Sequence, residues 1–206
     1  MAGSTAARPG RPGGDLRTRT LQEATAVVAE QGLAYLTMAS LAKRLGTSGG
    51  HLLYYFGSKN LLLVEALRYS EAALTEERAG LLARRVTPAR RLDLFLDLYL
   101  PAGPRDPRWM LWIELWARSG ADDELRAAQQ ELDQGWQRDL EAILAKGVDR
   151  GAFAVDDVPG RAAQLLALLD GLSTRVVLGQ PGAERRQALA AARSAAAALV
   201  PAADRP

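Results

Sequence analysis

The sequence predicts an all-α protein. No stretch alternates apolar and polar residues with period two, Ala and Leu dominate while Val, Ile and Thr are scarce, and the chain divides into nine helical segments marked by caps, glycines and prolines. Residues 2–14 consist only of Ala, Gly, Pro, Ser, Thr and Arg, so 1–14 reads as a disordered basic arm. A first helix is expected over Leu16–Gln31, with Leu21, Ala24 and Val28 on one stripe and Gly32 at the left-handed C-terminal position. Thr37, Ser48 and Ser58 then cap Met38–Leu45, Gly49–Phe56 and a long helix from Lys59. None of these caps has Glu or Gln three residues on, so no complete capping box is expected. Thr87-Pro88 opens the fifth helix, which ends before Pro101, and Asp106-Pro107 opens the sixth, closed by Gly120. The last three helices are expected over about Asp122–Arg150, Asp157–Gly179 and Ala183–Leu199.

Composition narrows the function. Cysteine is absent and His51 is the sole histidine, which argues against disulfides, thiolate sites and a protein-built zinc or iron centre; no cofactor is expected. No run of 18 apolar residues occurs, and no hydrophobic segment follows the basic residues of the N-terminus, so neither a membrane span nor a signal peptide is read and a cytoplasmic protein is expected. The net charge of +2 hides an asymmetry. Residues 1–60 hold seven Lys/Arg against three acids, the remainder 19 against 21, so the first third is the part suited to a polyanion.

Leu36–Asn60 carries the most information. Leu41, Ala42 and Leu45 share one helix face and Leu52 and Phe56 another, separated by the tight turn Gly46-Thr47-Ser48. Packed on the first helix, these make a three-helix unit of helix-turn-helix geometry, whose third helix is offered to the major groove. The pattern Thr37, Leu41-Ala42-Lys43, Leu45-Gly46-Thr47-Ser48, Gly50, Tyr55-Phe56, Ser58-Lys59 and Leu61-Leu62 resembles the DNA-binding domain of the TetR family over about 45 residues. The resemblance implies a TetR-type fold with a DNA-binding domain over 15–60 and a ligand-binding and dimerisation domain over 61–200. It also implies a homodimeric transcriptional regulator, most simply a repressor of a palindromic operator, with Lys43, Thr47 and Tyr55 among the DNA-facing residues. Recognition helices of the family usually carry tyrosine where Leu53 stands here and often histidine at Tyr55, so Tyr54 and Tyr55 are the candidates to replace that contact. Thr37 and Ser48 can present N–H groups and hydroxyls to phosphate from helix N-termini, and Lys59 can add a point charge. Gly49-Gly50 either lets the backbone approach DNA or extends the loop. His51 either reaches a base edge or is a surface histidine, and Arg8 and Arg11 either enter a minor groove or form a solvated tail.

In the sixth helix, Trp109, Trp112 and Trp116 fall on one face. They are either packed core or, with Phe95 and Tyr99, the wall of a ligand cavity whose polar candidates are Glu114, Gln134 and Asp170. Leu111–Gly179 resembles the C-terminal domain of BetI-like TetR-family regulators through Trp112-Ile-Glu-Leu-Trp116, Glu124-Leu125-Arg126, Gly147…Gly151-x-Phe153 and Leu168-Leu169-Asp170-Gly171-Leu172, which implies a small-molecule effector. The apolar cover of Arg161–Leu178 exceeds what one core contact buries, and the alanine run 188–198 permits close approach, so a four-helix homodimer interface is expected through 157–199. An intrachain bundle is the alternative. A regulator that senses no small molecule remains a rival reading, and so does an all-helical enzyme. For the enzyme the acidic clusters Asp122-Asp123-Glu124 and Asp156-Asp157 are the only Mg²⁺ candidates, and both sit at helix starts where acids favour the dipole. No enzymatic activity is expected.

Overall fold

The computed structural model describes residues 12–203. Among them run α1 (Pro12–Gln31), a 3₁₀ turn (Leu33–Tyr35), α2 (Met38–Leu45), α3 (Gly49–Phe56), α4 (Lys59–Ala83), α5 (Pro88–Tyr99), α6 (Pro107–Ser119), α7 (Asp123–Asp149), α8 (Val158–Val177) and α9 (Arg185–Leu199). The all-α, nine-helix expectation holds for the described residues, and the bounds of α2 and α3 coincide with those read from the caps. Three details differ. Helix α1 starts at Pro12, so Pro12–Gly14 are helical, as suits a proline at a first helical position; Arg8 and Arg11 lie outside the described residues. The 3₁₀ turn went unanticipated because three residues carry too little periodicity. A complete capping box does form: Thr37 Oγ1 accepts from Ser40 N at 2.9 Å and Ser40 Oγ from Thr37 N at 3.0 Å, serine serving where Glu or Gln was sought.

Leu21, Ala24, Val28, Leu41, Leu52 and Phe56 are buried together, joining α1, α2 and α3 in one small bundle. Gly46 ends α2 at φ 67, a left-handed turn that glycine takes without strain, and this sets the crossing of α2 and α3. From that bundle α4 runs 25 residues, about 37 Å at 1.5 Å per residue, into the larger one, where it packs on α6 and α7. Glycine is required for space at Gly147: a Cβ there would lie 2.0 Å from Cδ2 of Phe153. The Phe153 segment is held in turn by the C-terminal tail, with Ala154 N donating to Pro201 O at 2.9 Å and Ala203 N to Ala152 O at 3.1 Å. Gly147→Ala is expected to cost about 1–3 kcal/mol, measurable by urea unfolding, because the ring has to leave its seat.

Helix α8 does not carry the unburied apolar surface expected of it. Leu165, Leu166, Leu169, Val176 and Val177 are buried within the chain, chiefly by α7 and α9, so they require no second subunit. Leu168 and Leu172 are half-buried, and Leu178 is exposed. What α8 leaves outward is the small-residue row Ala163, Ala167 and Gly171, flanked by Gln164 and Arg175. The acidic clusters are caps: Asp122 Oδ1 accepts from Glu124 N and Leu125 N, and Asp157 Oδ1 from Gly160 N.

Candidate functional site

Helix α3 presents an aromatic ridge to solvent. Tyr54 is 84% exposed, its ring meets Tyr55 edge-on at 5.7 Å, and Tyr55 meets His51 at 5.0 Å. Thr47 Oγ1 lies 3.0 Å from His51 Nδ1, which orients the imidazole, and Ser48 Oγ accepts from His51 N at 3.1 Å. Gly49 and Gly50 are the first two residues of α3, so they do not extend the loop. A Cβ at Gly50 would meet open space, so internal packing does not demand a glycine there. Thr37, Lys43 and Ser48 are also exposed, with Thr47 half-buried. In the basic first third Arg17 pairs with Glu65 and Arg44 with Glu23, while Lys43, one of the two basic DNA-facing candidates, is open to solvent. Lys59 is turned inward: Nζ donates to Leu33 O at 2.6 Å, and burial, then Arg118, holds its pKa below the ordinary value against the pull of Glu114.

The tryptophan stripe is nearly solid core with a small cleft in it. Trp109 and Trp112 are buried, and Trp116 touches both at 5.9 and 5.8 Å between ring centres. The cleft has a volume of about 10 Å³, enough for one water-sized body, and is walled by Tyr99, Trp109, Trp112, Trp116 and Trp136 with Arg108, Asp133 and Asp170. Three expected wall residues are elsewhere. Phe95 is buried behind the cleft, against Tyr99 and Trp136. Gln134 is off the cleft; one residue back along the helix, a turn of about 100°, Asp133 is the side chain that reaches its rim. Glu114 faces away from the cleft and accepts from Leu33 N at 3.4 Å. Tyr99 donates to Asp170 Oδ1 at 2.6 Å; burial, then Asp170, holds the phenol well above its ordinary pKa. Burial raises Asp170 from 3.8 to about 6, with Tyr99 opposing the rise and Asp133 adding to it.

Behind the cleft lies a buried carboxylate that the sequence did not reveal. Glu71, from the middle of α4, accepts from Trp112 Nε1 at 2.8 Å and Trp136 Nε1 at 2.9 Å, with Arg78 and Arg108 guanidinium nitrogens at 3.7 and 3.8 Å. Arg78 also stacks on Trp136 at 3.9 Å and binds Asp139. Two walls of the cleft are thereby tied to the helix that leads to the small bundle. Further ties join the two bundles: Arg105 donates to the Ala29 and Glu30 carbonyls at the end of α1, and Asn60 to Asp122 at 2.9 Å. Arg105 holds φ 57, a left-handed conformation rare for a side-chain-bearing residue, and its own N–H donates to Val177 O at the end of α8.

The arrangement is thus an exposed aromatic helix, an aromatic cleft, and one long helix joining them. Comparison with protein families matches the model for bacterial regulatory proteins of the tetR family to residues 21–66 and that for the BetI-type transcriptional repressor C-terminal domain to residues 88–201. The chain is a TetR-family regulator of the BetI type. The HTH-type transcriptional regulator BetI of Paraburkholderia xenovorans is 31% identical over 176 residues, covering 81% of this chain and 85% of the relative. BetI of Burkholderia mallei is 33% identical over 178 residues, covering 81% and 85%. Among solved structures, a transcriptional regulator from Saccharomonospora viridis in complex with choline superposes with a TM-score of 0.84 at 25% identity, covering 93% of this regulator and 100% of that chain.

Proposed function

We propose that this regulator is a repressor that holds a palindromic operator as a homodimer and releases it when a small organic cation enters the cleft among Tyr99, Trp109, Trp116 and Trp136. The reading rests on what walls the cleft: aromatic faces, which attract cations, beside the carboxylates of Asp133 and Asp170. Choline, present in the similar S. viridis regulator, is such a cation. Arg108 sits 5.4 and 5.8 Å from the ring centres of Trp109 and Trp136 and also lines an open cleft of about 540 Å³ that carries Glu77, Asp97 and Asp106. A cation drawn to those acids reaches the cage by displacing the Arg108 guanidinium. A site of about 10 Å³ admits no such ligand until its rings part, so entry and rearrangement are one event, and the ligand selects the parted state. Movement of Trp112 and Trp136 then pulls on Glu71 and so on α4. Dimerisation uses 157–199, where Ala163, Ala167 and Gly171 let helices approach closely. The working compartment is the cytoplasm, and no catalytic role is assigned.

Fluorescence anisotropy on the regulator's own upstream DNA tests this. Tight, salt-sensitive binding is expected, weakened about ten-fold by Tyr54→Ala, whose exposure spares the fold, and reversed by choline chloride but not by sodium chloride of equal strength. Binding that choline leaves untouched, with unchanged tryptophan emission, would favour a regulator that senses no cation. The cleft also predicts a pH dependence. Between pH 4 and 6 folded Asp170 keeps a proton that its unfolded counterpart has lost, so stability from this group falls as pH rises through that window. Cation affinity runs the other way, rising by up to about ten-fold per pH unit toward pH 6 and levelling above it, and Asp170→Asn should flatten the profile.

A further inference from the structure

The geometry points to a second ligand site, for a compact polyanion of phosphate chemistry, at the end of the larger bundle farthest from α3. An open cleft of about 770 Å³ lies where the α4–α5 turn meets the C-terminal end of α7, and six cations line it: Arg84, Arg85, Arg90, Arg91, Lys146 and Arg150. No acidic side chain is among its lining residues. Arg90 is compensated by Asp93, but Arg84, Arg85, Lys146 and Arg150 form no ion pair among the described residues. Mutual repulsion in so small a space is unfavourable, and a bound anion would remove it.

Arg91 is the second, independent observation. Its side chain is 2% exposed, Nη2 donates to Arg84 O and Nε lies 3.4 Å from Leu81 O, while Nη1 has no hydrogen-bond partner. A buried guanidinium left one donor short costs free energy, and phosphate oxygens match its planar fork. The N-terminus of α5, capped by Thr87, opens on the same cleft and adds positive potential. The operator is not the occupant: α4 separates this end from α3 by about 37 Å. The size suits a small molecule with two or three linked phosphates, whether inorganic or the tail of a nucleotide.

The site does not rest on the repressor reading, and its test uses no DNA. Isothermal titration of the full-length protein with sodium tripolyphosphate is expected to show binding that weakens with salt. The affinity should fall at least about ten-fold in Arg84→Ala/Lys146→Ala/Arg150→Ala, whose side chains lie at the surface, and persist in Lys43→Ala on the DNA-facing bundle. Adenosine triphosphate binding more tightly than tripolyphosphate would assign a nucleotide, and equal affinities a bare phosphate chain. No heat above that of sodium sulfate at equal ionic strength, equal binding by the triple variant, or loss in Lys43→Ala would overturn the inference. Circular dichroism of the triple variant guards against misfolding.

Discussion

Glu71→Ala is expected to lower unfolding stability by about 3–5 kcal/mol, the range for removing one partner of a buried charge network. The substitution strips both indole N–H groups of Trp112 and Trp136 of their acceptor and takes the nearest carboxylate from Arg108; Arg78 keeps Asp139. Glu71→Gln retains an acceptor but not the charge, so it should fall between the two. Urea unfolding gives the size of the loss. A change below about 1 kcal/mol would show that water replaces the carboxylate readily and that α4 is not tied to the cleft as described. A variant folded well enough to bind the operator should also lose most of its response to choline.

Trp136→Ala is expected to cost a similar amount, about 3–5 kcal/mol, through the cavity left when a buried tryptophan is cut back. Its ring packs edge-on against Tyr99 at 4.8 Å and Phe95 at 5.6 Å and carries the stacked Arg78, so few neighbours can collapse into the gap. Trp136→Phe keeps the ring contacts but leaves one Glu71 oxygen without its donor, and should cost about 1–3 kcal/mol. Because both residues act through one hydrogen bond, the double replacement Glu71→Ala/Trp136→Ala should cost less than the sum of the singles. An additive result would mean that the bond contributes nothing beyond packing.

Caps and breakers made the helices legible. Thr37, Ser48, Ser58, Thr87, Asp106, Asp122 and Asp157 each accept a backbone N–H where the sequence suggested, and Gly46 turns the chain between α2 and α3. The exposed face of α3 was legible because Leu52 and Phe56 mark its buried side and leave Tyr54 and Tyr55 outward. The cleft was only half legible. Three tryptophans on α6 announce themselves by spacing, but Trp136 stands alone among polar residues and Glu71 sits in a stretch that reads as a solvated face. Each acquires its meaning from a partner more than 40 residues away, which no local period records. Lys59 misled for the converse reason: a lysine at a helix start looks solvent-bound, and only the 3₁₀ turn places the Leu33 carbonyl within its reach.

Helix α4 has a mechanical consequence. Its far end is pinned by Arg78 to Asp139 and by Arg91 to the Leu81 and Arg84 carbonyls, and Glu71 lies halfway along its 25 residues. A beam hinged at one end and pushed at its middle moves its other end about twice as far as the push, so a displacement of about 1 Å at Glu71 becomes about 2 Å at Lys59 once the Asn60–Asp122 tie yields. Two such beams facing each other would double the change again in the gap between reading helices. On the proposed repressor reading, a shift of about 1 Å at Glu71 would thus open the gap between the two heads by about 4 Å.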